Sequence, residues 1–74
     1  MGGEGVIKRD AVSSHAMRSV GYQRRTLEIE FESGNVYRYF DVPPALYRAF
    51  ITAESLGEFF NEEIRDRFRS EGPL

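Results

Sequence analysis

The run Thr26-Leu27-Glu28-Ile29-Glu30-Phe31-Glu32 alternates polar and apolar residues without a fault. A period of two sends Leu27, Ile29 and Phe31 to one side of an extended chain and the glutamates to the other, so the run is a β-strand with one buried and one solvated face. Val36-Tyr37-Arg38-Tyr39-Phe40 follows after Ser33-Gly34, and two such runs joined by a short Gly-containing link form a hairpin. If Gly34 takes the left-handed position of a bulged turn, Phe31 faces Asn35, Ile29 faces Tyr37 and Leu27 faces Tyr39. Tyr37 and Tyr39 then point to the core and Arg38 stands opposite Glu28 on the wet side, whereas a two-residue loop would turn Arg38 toward the apolar side.

Met17 to Tyr22 reads as a preceding strand, with Val20 and Tyr22 on one face, Ser19 and Gly21 on the other, and Gln23-Arg24-Arg25 as the turn. Val42-Pro43-Pro44 stops the hairpin and starts a helix, because proline is tolerated in a first turn where its missing N–H costs little. That helix, expected from Pro44 to Ala53, places Leu46, Ala49, Phe50 and Ala53 on one stripe. Ser55-Leu56-Gly57-Glu58 has the form of a capping box and opens a second helix. Leu56, Phe60, Ile64 and Phe68 recur along it at every fourth residue, Glu62, Glu63, Asp66 and Arg67 take the solvent side, and its end is expected near Arg69, before Gly72-Pro73.

Strands followed by helices predict the α+β class: a three-stranded antiparallel meander with two C-terminal helices packed on one face. Residues 1–11 are expected as a flexible, Gly-rich N-terminal arm in which Val6-Ile7 is a candidate short edge strand, residues 12–69 as the single domain, and residues 70–74 as a C-terminal tail.

A chain of 74 residues has room for one core, since a domain this small buries only about 60% of the surface its unfolded chain exposes. The absence of cysteine excludes disulfides, cysteine-bound zinc and thiol chemistry. No apolar run reaches membrane-spanning length, and Met1 to Gly5 lacks the basic and apolar regions of a signal peptide, so a cytoplasmic location is expected and a membrane partner is not. The net charge of −2 counts against nucleic-acid binding by bulk charge. Yet Lys8, Arg9, Arg18, Arg24 and Arg25 crowd into the first 26 residues against Glu4 and Asp10 only, and nine of the ten basic residues are Arg, the type suited to bidentate recognition of anions.

Catalytic chemistry is thin. His15, beside Ser13 and Ser14, lacks an evident third residue to orient it or donors for an oxyanion, so it reads as incidental. Glu28 and Glu30 share one strand face, and Glu62, Glu63 and Asp66 one helix face. Arg38 and Arg67 stand within pairing distance of these sets, which therefore read as solvated surfaces and not as a metal or acid–base site. Gly2-Gly3-Glu4-Gly5 has no strand before it and no Lys-Ser/Thr after it, so it is no phosphate loop. Neither an enzyme nor a cofactor is expected. On the outer sheet face Glu28 and Glu30 would repel a phosphate backbone, and Val36 and Phe40, if exposed, form a modest apolar patch for self-association or for cover by the N-terminal arm. An anionic ligand is therefore sought at the Arg24-Arg25 turn or along Asn61, Arg65 and Arg69, which rise in steps of four on the last helix. Arg65 either serves such a row or pairs with Glu62 or a backbone carbonyl.

Ser14, Val20-Gly21-Tyr22, Leu27 to Phe31 with Gly34, Tyr37-Arg38-Tyr39, Asp41-Val42-Pro43 and Ala53-Glu54-Ser55-Leu56-Gly57 with Phe59-Phe60-Asn61 and Ile64-Arg65 together resemble the KTSC domain, a module found at the C-terminus of some lysyl-tRNA synthetases. The resemblance covers residues 12 to 68, and the chain resembles the stand-alone bacterial or phage members. Glu58 stands where many members carry Lys or Arg. The resemblance implies mainly structural roles for Tyr37, Tyr39, Gly34, Ser55, Gly57 and Phe60. It also implies a non-catalytic binding module of unknown function, for which the synthetase neighbourhood suggests RNA or another anionic partner. The alternative is a protein-interaction or self-association module, with the chain a monomer or weak homodimer.

Overall fold

The computed structural model describes residues 6 to 74. In chain order it contains β1 (Asp10–Ala11), β2 (Met17–Gln23), β3 (Thr26–Phe31), β4 (Val36–Tyr39), α1 (Pro44–Ile51), α2 (Leu56–Phe59) running on into a π-helical turn (Phe60–Ile64), and β5 (Ser70–Glu71). The sheet is antiparallel throughout, in the order β1-β2-β3-β4-β5.

The alternation of β3 sets the register of everything around it. Leu27 pairs with Tyr39, Glu28 with Arg38 and Ile29 with Tyr37. At the turn the Phe31 N–H donates to the Asn35 carbonyl at 2.9 Å, the Gly34 N–H donates to the Phe31 carbonyl at 2.9 Å, and Gly34 sits at φ +96°. A left-handed residue is what lets the extra turn residue be absorbed without a register slip. The expected bulged turn is the one found.

The sheet has five strands where the sequence reading expected three. The two additions are the edges. β1 pairs Asp10 with Val20 and Ala11 with Ser19, and β5 pairs Glu71 with Arg38 and Ser70 with Tyr39. The edge strand therefore lies at Asp10–Ala11 and not at Val6-Ile7. The stretch expected as an arm over 1–11 joins the sheet at its end, its first five residues lying outside the described part. The expected tail over 70–74 is likewise a sheet edge, with the Leu74 N–H donating to the Val36 carbonyl at 2.8 Å. Two-residue strands carry no periodicity, and their pairing comes from the neighbouring strand's unpaired N–H and C=O groups.

Residues from the helices and from one sheet face meet in one core of Met17, Val20, Leu27, Ile29, Tyr39, Val42, Phe50, Leu56, Phe60 and Ile64. α1 starts at Pro44 and stops at Ile51, and the Thr52 hydroxyl folds back to donate to the Arg48 carbonyl at 2.8 Å. Its stripe differs from expectation. Phe50 is buried, but Ala49 is exposed and Tyr47 packs instead, stacked on Tyr22. At the next helix the Ser55 Oγ accepts from the Glu58 N–H at 3.2 Å, which is the Ser55 half of the expected capping box.

The second helix is shorter than expected, regular structure ending at Ile64. Apolar residues spaced by four drift around a 3.6-residue α-turn, and a wider turn takes up that drift. The Arg65 N–H accordingly donates five residues back, to the Phe60 carbonyl at 2.8 Å, while Leu56, Phe60 and Ile64 all stay buried. No helix of the described residues is long and apolar enough to cross a membrane.

Candidate functional site

The outer face of the sheet is partly covered. Residues Ile7 to Arg9 cross it over Gly21, where a Cβ would overlap the Lys8 carbonyl oxygen and lie 2.9 Å from Ile7 Cγ2 and 3.0 Å from Arg9 Cγ. Beneath this strap Glu28 is only 6% exposed. Its carboxylate meets Arg38 Nε at 2.7 Å and Arg9 Nη1 at 3.4 Å. The expectation that Glu28 is a solvated acid is thus overturned, because the strap removes it from water and two guanidinium groups neutralise it. Glu30, further along the face, accepts from the Ser19 hydroxyl at 3.0 Å.

With Glu28 neutralised, the end of the face nearest the β2–β3 turn is basic and aromatic. Phe40 stands one ladder step beyond the Leu27–Tyr39 pair and so beside Thr26. It is half-buried, with the guanidinium carbon of Arg69 4.9 Å from its ring centroid, within range of a cation–π contact. Next to it Ile7, Gln23, Arg24, Thr26, Arg38 and Phe40 line an open pocket of about 150 Å³. Glu30 is four residues from Thr26, about 13 Å along the strand. Asp41 and Glu71 are exposed carboxylates at this end, Glu71 standing across the ladder from Arg38.

The turn that presents Arg24 is unusual. Gln23 and Thr26 pair across it, and both loop residues have positive φ, Arg24 at 54° and Arg25 at 64°. This type I′ geometry matches the strand twist but favours Asn-Gly, and each non-glycine residue held there costs about 1–2 kcal/mol. The Arg25 carbonyl accepts from the Val42 N–H at 2.8 Å, which helps to hold the turn. Neither arginine has an ion pair among the described residues.

The five arginine and asparagine positions singled out in the sequence therefore do not form one site. Arg24 and Arg69 come to the Phe40 end of the outer face, and Arg25 is exposed at the turn beside them. Asn61 and Arg65 are exposed on the π-helical turn and its cap. The expected row breaks because the helix ends before Arg69, whose carbonyl instead accepts from the Phe40 N–H at 2.9 Å. Arg65 lies close enough to Tyr39 to act on its hydroxyl. Burial, with the neighbouring Tyr37, pushes that hydroxyl up to about 12, and Arg65 opposes the rise. The Glu62 carbonyl is taken by Arg67 Nε at 3.0 Å.

The remaining motif residues are engaged in packing and capping contacts. Phe60 packs edge-on against Phe31 and Tyr39, and Gly57 leaves room for Ala16. His15 is exposed in a groove of about 300 Å³ with Ser13, Ser14, Glu54 and Ser55, and no hydrogen bond joins it to either neighbouring serine. The sequence reading assigned no ligand role to Ile7, Gln23, Thr26 or Phe40. The signal available for Phe40 was its parity with Arg38, which puts both on the outer face.

Residues 13–68 match the model of the KTSC domain. An uncharacterized protein of Stutzerimonas stutzeri is 47% identical over 61 residues, covering 80% of this chain and 86% of the relative. A lysine–tRNA ligase of Nostoc punctiforme is 40% identical over 57 residues, which are 74% of this chain but 10% of the ligase. The crystal structure of a KTSC domain protein from Yersinia pestis superimposes with a TM-score of 0.85 at 35% identity, over 89% of this chain and 96% of that one.

Proposed function

The chain belongs to the KTSC domain family, and from that membership we propose that it is a small non-catalytic binding module that takes RNA at the Phe40 end of its outer sheet face. One observation carries the reading. The Arg69 guanidinium lies over half-buried Phe40 with Arg24 lining the pocket beside it, on a face whose central carboxylate is already neutralised. Guanidinium planes and aromatic rings are the surfaces on which unpaired bases stack, and the same guanidinium groups engage phosphates. The similarity to one segment of lysine–tRNA ligases, enzymes named for a tRNA substrate, favours RNA among anionic chains.

Amide chemical-shift titration with single-stranded oligouridylate tests this. Two phosphates neutralised by Arg24 and Arg69 give a salt slope of about −1.4, so affinity should fall about sevenfold for a roughly fourfold rise in salt. Shifts at Arg24, Phe40 and Arg69 that shrink with salt are expected. Shifts confined to Asn61 and Arg65, or no shifts, would overturn the assignment of the site. Salt-independent capture of a protein would favour the interaction module instead.

A further inference from the structure

We infer that the pocket beside Phe40 is a slot for one unstacked nucleobase and that the strap Ile7 to Arg9 supplies one of its walls. This rests on the reading that the Phe40 end binds RNA, and narrows it to single strands. The pocket is open to solvent, and its volume of about 150 Å³, below the ~300–1,000 Å³ of ordinary small-molecule sites, seats a single planar ring. Two of its lining residues, Ile7 and Phe40, are apolar, and two others, Gln23 and Thr26, carry side chains that both donate and accept hydrogen bonds. That is the mixture that meets the faces and the edge of a base. Arg24, on the same lining, is placed to take the adjoining phosphate. A base in a duplex offers neither its stacked faces nor its paired edge, so only an unpaired base enters.

The strap makes the slot conditional. Residues 6 to 9 make no sheet pairs. Their attachments are the close passage over Gly21 and the 3.4 Å Arg9–Glu28 ion pair, in which the buried Arg9 Nη1 makes no hydrogen bond among the described residues. Glu28 keeps Arg38 at 2.7 Å if the strap lifts, so lifting it strands no lone buried charge. A methyl group on Gly21 would overlap the Lys8 carbonyl and displace the strap, taking Ile7 out of the slot.

The test compares wild type, Ile7→Ala and Gly21→Ala, with folding checked by thermal melting, against three probes: single-stranded oligouridylate, a self-complementary RNA duplex and inorganic tripolyphosphate. Wild type should bind oligouridylate best, with shifts at Gln23, Thr26 and Phe40. Ile7→Ala should weaken oligouridylate about five- to tenfold, a fraction of what a full base stack contributes, and leave tripolyphosphate unchanged. Gly21→Ala should do the same and speed tryptic cleavage at Lys8 and Arg9. Should Gly21→Ala fail to fold, Ile7→Ala decides alone. Salt-dependent RNA binding at Arg24 and Arg69 that ignores Ile7→Ala, or duplex binding as tight as single-strand binding, sinks the slot and leaves the RNA reading standing. No RNA shifts at all would sink both.

Discussion

The Tyr22 hydroxyl donates to the Val42 carbonyl at 2.5 Å, while the same ring stacks on Tyr47 at 4.3 Å between centroids and 6° between planes. One side chain on β2 thereby fixes both the entry to α1 and its second turn. Val42 is fully buried, so no water stands ready to replace the lost donor. Tyr22→Phe keeps the ring and should cost about 1–3 kcal/mol, the penalty for an unsatisfied buried carbonyl. A denaturation midpoint equal to that of wild type would show that the bond contributes nothing net.

The strained Arg24-Arg25 turn gives a test in which stability and binding move in opposite directions. Replacing the pair by Asn-Gly suits the positive φ values of 54° and 64° and should stabilise the domain by about 1–2 kcal/mol. Under the proposed function the same replacement removes a phosphate contact and weakens RNA binding. Tighter binding by the stabilised variant would contradict the role given to Arg24. Gly34→Ala supplies the opposite control. Nothing lies within 4 Å of the added Cβ, so its cost of about 1 kcal/mol should come from the φ of +96° alone.

Ser55→Ala should cost about 1 kcal/mol by removing the acceptor for the Glu58 N–H. Phe60→Ala should cost about 3–5 kcal/mol, because the ring fills the space between Phe31 and Tyr39. Urea unfolding of the two variants gives the ranking. The reverse order would mean that the last helix is held by its cap and not by its packing.

Alkaline pH should destabilise the protein through Tyr39. Its hydroxyl ionises near its ordinary value of 10.0 when the chain is unfolded and at about 12 when folded. A raised folded value means that this contribution to stability is full below pH 10.0 and is lost as pH climbs through about 12, with a slope of at most about 1.4 kcal/mol per pH unit. Tyr39→Phe should flatten that part of the profile. Spectrophotometric titration of tyrosinate, showing one tyrosine ionising late, is the direct check.

The parts of the fold written in side-chain pattern were legible, and those written only in backbone were not. Glu28 opposite Arg38 followed from the alternation of β3 and from Gly34, because a side-chain period of two admits one register once the turn is chosen. Asp10-Ala11 and Ser70-Glu71 offer no period, and only the unpaired groups of β2 and β4 make them strands. The same limit explains the site. Arg69 was assigned to a row with Asn61 and Arg65 because a regular helix was assumed to run that far, and the π-helical turn at Phe60–Ile64 ends it early. Glu28 was taken for a repulsive acid because nothing in the sequence says that Ile7 to Arg9 will lie across Gly21.

Both margins of the sheet are strands of two residues, and this bears on how the protein behaves when crowded. A β-sheet grows by recruiting another chain along an open edge, and the recruit gains in proportion to the length of ladder on offer. Here the long strands β2, β3 and β4 are all interior, and an incoming strand would find two residues of ladder before the chain turns away. The short outer strands thus act as end stops on β2 and β4, while those two flank Thr26–Phe31, the most strongly alternating and aggregation-prone segment of the molecule, on both sides.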